Sequence, residues 1–307
     1  MDNHKTHVDL TLPELISLFW SKKFFIISLT FCFAVAAAIT SLLLTPIYVS
    51  SAQLSASSLG SAQQQSRNSV GSIATIIGMS PVTKEESDTS TAIAVLQSRE
   101  FAKRLSSKYD ILPDLLAAKS FNKNSNETSY DKSIYDPDSD KWLRPKFQPY
   151  PTYLQAHEII QEIVNINLDD DTGFIIISVS HLSPLFCKYL IEIMVSELNL
   201  MTSEKEINRS RESISFLKAE LSGASELEIR QSISVLLESQ LRKQMIASVK
   251  KNYLLEYIDP PFLPELRTHP RRTVITIFVS MIGFFLSISI VWIKFYYTTL
   301  LRQNSSS

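Results

Sequence analysis

Asp259-Pro-Pro-Phe-Leu-Pro-Glu-Leu-Arg-Thr-His-Pro-Arg-Arg272 leads, through Thr273, into Val274–Ile293, a run without one charged residue. As a helix rising ~1.5 Å per residue, a run of that length spans the ~30 Å hydrocarbon core of a bilayer. The prolines ahead of it lack the amide donor that a helix or central strand needs, so the approach is expected to be extended and stiff. Arg271 and Arg272 close that approach where headgroups would lie, and Lys294, Tyr296 and Tyr297 stand at the other end. Residues 274–293 are therefore read as a transmembrane helix and 294–307 as a cytoplasmic tail.

A twin run, Phe24–Leu44, stands near the N-terminus. Its apolar region exceeds the ~7–15 residues of a signal peptide, and its leader is long and carries the acidic Asp2, Asp9 and Glu14, so residues 24–44 are read as a retained membrane helix rather than a cleaved signal. Ahead of it, Val8, Leu10, Leu12, Leu15, Ile16 and Leu18-Phe19-Trp20 suggest a short amphipathic helix in the 1–23 tail. Lys22 and Lys23 place that tail in the cytoplasm, because no positive charge follows until Arg67. Two spans return the C-terminus to the same side. Arg267, Arg271 and Arg272 weigh against this assignment, but long loops translocate largely regardless of charge. Residues 45–273 are then one loop tethered at both ends, long enough for a domain with its own core.

Within the loop, Ile47–Leu54 reads as a strand leaving the membrane. Ser55–Ser90 is rich in Ser, Gln and Gly and reads as a loop carrying an apolar island, Ile73–Met79. Ile93, Val95-Leu96, Phe101 and Leu105 keep helical spacing, Ile111–Ala118 adds a turn, and Lys119–Pro151 reads as polar loop. Tyr153–Ile163 is helical. Val164–Leu168 and Phe174–Ser180 form a hairpin about a turn ending at Gly173. Ser183-Pro184 is a hydroxyl cap followed by proline at the first helical position, which starts a helix running to Leu221. Gly223 offers a left-handed stop, and Ser225 with Glu228 a capping box that restarts a helix. That second helix carries Ile229, Ile233, Leu236, Leu237, Leu241, Met245 and Val249 on one face. The expectation is an α+β membrane protein. Two transmembrane helices flank an α/β base (45–182 and 254–273), from which a long helical hairpin (183–253) projects. The charged stretch Ser203–Glu212 on its first arm reads as a solvated face. The apolar stripes of the arms exceed what a compact base covers, so neighbouring copies are expected to bury the remainder.

Chemistry is not visible in this sequence. His157-Glu158 opens like a zinc motif, but Gln161 stands where the second histidine is needed. Asp136, Asp138 and Asp140 mimic a calcium loop, yet Lys141 replaces its turn glycine and Phe147 its bidentate acid. Asp169–Asp171 is read as a turn. With only six glycines no phosphate loop forms, and five scattered histidines give no catalytic pairing, so no cofactor or metal is expected. The net charge of −1 supplies no steering toward nucleic acid. Cys32 lies in a span and Cys187 in the loop, so they are not expected to pair. In the spans, Ala34 and Ala38 lie one turn apart, as do Gly283 and Ser287. Small residues so spaced let helices approach closely in lipid, though ordinary spans carry the pattern too.

Several stretches resemble the polysaccharide co-polymerases, chain-length determinants of bacterial lipopolysaccharide O-antigen. Val8-Asp9-Leu10…Leu15…Trp20 with Lys22-Lys23 is similar to their lead-in, and Pro46-Ile47-Tyr48 to their exit from the first span. Leu96-Gln-Ser-Arg-Glu-Phe101 and Lys141-Trp142-Leu143 resemble their membrane-proximal domain. Pro261, Pro264, His269, Pro270 and Arg271 look like their proline motif, with His269 where Ser and Arg271 where Lys is usual. Gly283 is a lone glycine where members often carry more. The resemblance implies a non-enzymatic inner-membrane protein with a periplasmic base. Identical subunits would form a ring that sets how far the O-antigen polymerase extends a lipid-linked polysaccharide. The tail after Ile293 leaves no room for the kinase domain of some relatives. Two other classes share the two-span layout. A sensor ectodomain needs a cytoplasmic output domain, and a periplasmic export adaptor needs β repeats that the sequence lacks. A glycan-cleaving enzyme lacks the carboxylate pair.

Overall fold

The computed structural model describes residues 20–57, 84–144 and 150–304. The lead-in before Trp20, the Ile73–Met79 island and Phe147 lie outside the described residues. In chain order come α1 (Lys23–Leu43), β1 (Tyr48–Ala56), α2 (Lys84–Leu96), α3 (Arg99–Lys108) and α4 (Leu112–Ala117). Two small hairpins follow, β2 (Ala118–Asn122) with β3 (Glu127–Tyr130), and β4 (Tyr135–Asp136) with β5 (Lys141–Trp142). Then come α5 (Tyr153–Ile163), β6 (Val164–Leu168), β7 (Ile175–His181), α6 (Pro184–Gly223), α7 (Leu227–Val249), β8 (Leu255–Asp259) and α8 (Arg272–Asn304). The chain divides into two compact units, residues 1–46 with 268–307, and residues 47–267.

The first unit is the pair α1 and α8. Lys23–Leu43 and Arg272–Phe295 are long and apolar enough to cross a membrane. Phe24, Phe31, Leu43, Ile277, Phe278 and Phe285 all face outward, a surface that lipid would cover and water would not. Most of their described hydroxyls are satisfied within the helices, Ser41 of α1 being buried without a partner among the described residues. Thr30, Thr276, Ser280 and Ser289 each donate to the carbonyl one turn back. Such pairing is what allows polar side chains at hydrocarbon depth.

The second unit is built on a four-stranded antiparallel sheet of order β6-β7-β1-β8. Burial alternates along β1 and β7, so Tyr48, Ala52, Leu54, Ile175, Ile177 and Val179 line one face. Against that face lies the first part of α6, through Leu190, Ile191, Met194 and Leu198. Phe101 and Leu105 of α3, with Ala156 and Ile160 of α5, complete the core. Each fully buried large side chain there is worth ~1.5–3 kcal/mol of transfer free energy. The predicted cap holds: Ser183 Oγ accepts from Phe186 N at 3.3 Å. Asp169 Oδ1 accepts from the Asp171 and Thr172 amides, and Gly173 follows at φ 70°, so this acidic run is a turn.

Three readings need correction. Lys119–Pro151 is not simply loop: its described part holds both small hairpins, turned by Asn126 and Asp140 at positive φ. A second small core of Ala117, Tyr135 and Trp142 closes it, the two rings 4.9 Å apart. Gly223 does not adopt the left-handed conformation: the helix runs through it and stops at an extended Ala224. The restart follows Glu226 without a side-chain cap, so the Ser225 capping box does not form and α7 is 23 residues. The strand β8 was not foreseen.

At 40 residues, α6 is ~60 Å long, and α7 packs back along it. Burial on α6 ends at Ile214, and on α7 Ala247 is the buried residue. Phe216, Leu227, Ile229, Val235 and Leu236 are left exposed toward the tip.

Candidate functional site

In the 1–46 and 268–307 unit, Gly283 lies against Phe33. A Cβ at Gly283 would stand 2.6 Å from Phe33 Cβ and 2.7 Å from Cγ, closer than any side chain tolerates. Ser287, fully buried, donates to the Gly283 carbonyl at 2.6 Å, and Val291 continues the buried row one turn on. On α1 the buried positions are Ile26, Ala37 and Ser41. Ala34 is half-buried and Ala38 is exposed. The α1 face is thus turned one residue from the Ala34/Ala38 pair, with Ala37 taking the buried place. Of the proline motif, this unit holds Pro270, partly buried, and Arg271, exposed.

In the 47–267 unit, the segment after β8 is extended, as proline demands. Pro261 and Pro264 are both buried, while Phe262, Leu263 and Leu266 are exposed. A three-residue period of the extended helix puts the two prolines on one face. The segment is held from both sides. Ser50 Oγ, on β1, donates to the Phe262 carbonyl at 2.6 Å, and Lys123 Nζ, from the loop between β2 and β3, donates to the Glu265 carbonyl at 2.9 Å.

The root of the hairpin carries an ionic cluster that sequence reasoning missed. Glu197, on the core face of α6, is completely buried. Its carboxylate accepts from Arg104 Nε, from Lys108 Nζ at 2.7 Å and from Tyr109 Oη at 3.0 Å, while Arg104 Nη2 also reaches Glu204 at 2.8 Å. Burial pushes the Glu197 carboxyl up, but the donors from Lys108, Arg104 and Tyr109 outweigh it and hold it below its ordinary value. The signal was in the sequence: a lone glutamate on an apolar helical face, and Arg104 and Lys108 one turn apart on α3.

A second buried polar knot sits at the start of the same helix. His181 Nδ1 accepts from the Ser183 amide at 3.1 Å, so Nε2 carries the proton and donates to the Asp114 carbonyl at 3.0 Å. Burial drives the imidazole down to about 4, so it is neutral at physiological pH. The Cys187 thiol donates to the Tyr48 carbonyl at 3.4 Å, and burial pushes it up to about 11, which makes it an inert packing group.

None of the sequence's candidate metal residues converge. His157 Nε2 meets the Gln97 carbonyl at 3.0 Å. Asp136 accepts from Ser139, and Asp140 from Tyr135 at 2.9 Å. Among the described residues no group of three His, Cys, Asp or Glu could hold a metal ion. The chemistry on view is therefore positional: ion pairs, caps and close helix contact that set how elements are held.

Comparison with known proteins gives a family match over part of the chain and distant likenesses among solved structures. Residues 8–109 match the family Wzz, chain length determinant protein. A full-length bacterial polysaccharide co-polymerase is 12% identical over 94% of this chain and 99% of its own, with a TM-score of 0.41. A fragment of WzzB, a polysaccharide co-polymerase from Salmonella Typhimurium, is 10% identical over 73% of this chain and 100% of its own, with a TM-score of 0.31. No curated protein matches the chain. The family resemblance rests on the match at residues 8–109 rather than on these distant likenesses. Over residues 8–109, about a third of its length, the chain is similar to the Wzz chain length determinant proteins.

Proposed function

We propose that this protein regulates the length of a surface polysaccharide, the O-antigen of lipopolysaccharide. It does so as a homo-oligomeric ring in the bacterial inner membrane, acting with the O-antigen polymerase on a lipid-linked polymer and not as an enzyme itself. The observation that carries this reading is the Wzz match over residues 8–109. Two apolar helices flanking one folded unit support a two-span arrangement, with both termini cytoplasmic and residues 45–273 periplasmic. The exposed apolar side chains toward the hairpin tip support self-association, because a solitary subunit would leave them in water.

The test is the polysaccharide ladder of cells with and without the gene. Loss should leave polymer present but without a preferred length. Disappearance of the polymer would assign the protein to synthesis or export instead. A reporter fused after Ser125 should be active only outside the cytoplasm, and the opposite pattern would overturn the orientation.

A further inference from the structure

The extended segment after β8 presents an apolar edge that nothing in the 47–267 unit covers. Phe262, Leu263 and Leu266 are 51%, 47% and 81% exposed. The three-residue period that turns Pro261 and Pro264 inward sets Leu263 and Leu266 together on an outward edge. Single exposed apolar residues are ordinary, but three within five positions form a patch of the kind that marks an interaction surface.

The backbone beneath that patch is suited to a place with little water. Pro260, Pro261, Pro264 and Pro270 carry no amide hydrogen, so four donors are missing from the segment. Two of its carbonyls are already taken, that of Phe262 by Ser50 Oγ and that of Glu265 by Lys123 Nζ. Unsatisfied backbone groups are what keeps irregular chain out of lipid, and here their number is reduced. Cations frame the edge. From 260 to 272 the chain carries Arg267, Arg271 and Arg272 against one acid, Glu265, and Lys123 adds an ammonium beside the Glu265 carbonyl. Leucine and phenylalanine bordered by lysine and arginine suit the boundary between acyl chains and anionic headgroups.

The chain itself keeps the edge close to such a boundary. Leu266 stands six residues before Arg272, where α8 begins, so even a fully extended link holds it within ~22 Å of that helix. Ser50, which grips the Phe262 carbonyl, follows Leu43 at the end of α1 by seven residues, or ~25 Å at most. Both spans thus leash the same segment.

We propose that Phe262, Leu263 and Leu266 enter the bilayer interface on the side of the folded unit, with Lys123 and Arg267 at lipid phosphates, as a peripheral anchor beside the two spans. The inference rests on reading α1 and α8 as membrane spans, and it goes beyond that reading in giving the proline segment a lipid partner.

The test places nitroxide spin labels on the full chain in vesicles of phosphatidylethanolamine and phosphatidylglycerol. It compares relaxation by oxygen, which concentrates in the bilayer, with relaxation by a nickel chelate, which stays in water. Cys32→Ala removes the exposed native thiol, and the buried Cys187 stays unlabelled. Labels at Leu263→Cys and Leu266→Cys report on the edge. Ile277→Cys, outward on α8, is the lipid reference, and Asp171→Cys is the water reference, in the turn at the end of the sheet away from Tyr48. The edge labels should lose nickel collisions relative to Asp171→Cys and gain oxygen collisions toward those of Ile277→Cys. Nickel access equal to that of Asp171→Cys overturns the proposal. So does exclusion of both reagents, which would mean that protein covers the edge. If Ile277→Cys is itself open to nickel, the two-span reading falls and the anchor with it. If Ile277→Cys is lipid-exposed while the edge labels are open to nickel, the spans stand and the anchor alone falls.

Discussion

Gly283 and Phe33 meet so closely that no side chain fits between them: a Cβ on the glycine would lie 2.6 Å from Phe33 Cβ. The contact joins the two helices that hold the folded unit at both ends of its chain, which makes their spacing a quantity that mutation can change.

Gly283→Leu should therefore force α1 and α8 apart, with an overpacking cost of ~1–3 kcal/mol. Length control should loosen at normal expression. Phe33→Ala opens the space the leucine needs, so the double variant should recover part of the wild-type ladder. A Gly283→Leu ladder identical to wild type would mean that the close contact is not used in length control.

Glu197 bolts α3 to the root of the hairpin, so Glu197→Ala should be among the most damaging changes in the folded unit. Breaking a buried pair costs ~3–5 kcal/mol. The lower end is expected here, because Arg104 and Lys108 are partly exposed and keep some hydration. Thermal unfolding of the purified variant measures it, and a loss under ~1 kcal/mol would show that the cluster adds nothing net.

His181 makes stability fall with acid. Its folded pKa is about 4 against an ordinary 6.5, so between these values the unfolded chain binds the proton and the folded one does not. The contribution is fully present above pH ~6.5 and is lost as pH drops toward 4. At ~1.36 kcal/mol per pKa unit, the fall reaches ~2 kcal/mol at pH 5. Glu197, held below its ordinary value, loses its contribution lower still, as pH falls through the carboxylate range. Melting temperatures from pH 7 to 5 should decline, and His181→Asn should flatten the decline. A parallel decline in that variant would assign the acid sensitivity elsewhere.

The proline segment separates folding from function. Ser50→Ala removes the hydroxyl that holds the Phe262 carbonyl and should cost ~1 kcal/mol. Pro264→Ala with Pro270→Ala should loosen length control while the protein stays folded and membrane-inserted, because backbone stiffness is lost together with only part of the packing of the buried Pro264. An unchanged ladder at normal expression would show that the stiffness of this segment is dispensable.

The elements that could be read from the sequence are those whose cause is local. Ser183-Pro184 caps its helix through its own hydroxyl, the turn at Gly173 needs only five residues, and the two apolar runs declare themselves by length. What escaped depends on distant partners. The strand β8 exists because Leu54, Ser55 and Ala56 pair with it, which nothing between residues 255 and 259 announces. The hairpins β2–β3 and β4–β5 are polar and short, and they hold through contacts such as Tyr135 on Trp142. Glu197 stands out in the sequence as a lone glutamate on an apolar helical face, but its partner Arg104 lies 93 residues away, so their pairing is set by the fold. Among the candidate site residues, Gly283 could be singled out by its smallness. Which face of α1 it meets could not, because Ala34, Ala36, Ala37 and Ala38 differ only in their rotation about the helix.

The central claim is that this protein sets polymer length and does not make polymer. It is tested most directly by returning the gene to a deletion strain and measuring the distribution of chain lengths on its surface polysaccharide. The account predicts that the deletion strain makes polymer of unregulated length and that the returned wild-type gene restores one preferred length. A strain that makes no polymer without the gene, or whose distribution is the same with and without it, would contradict the account.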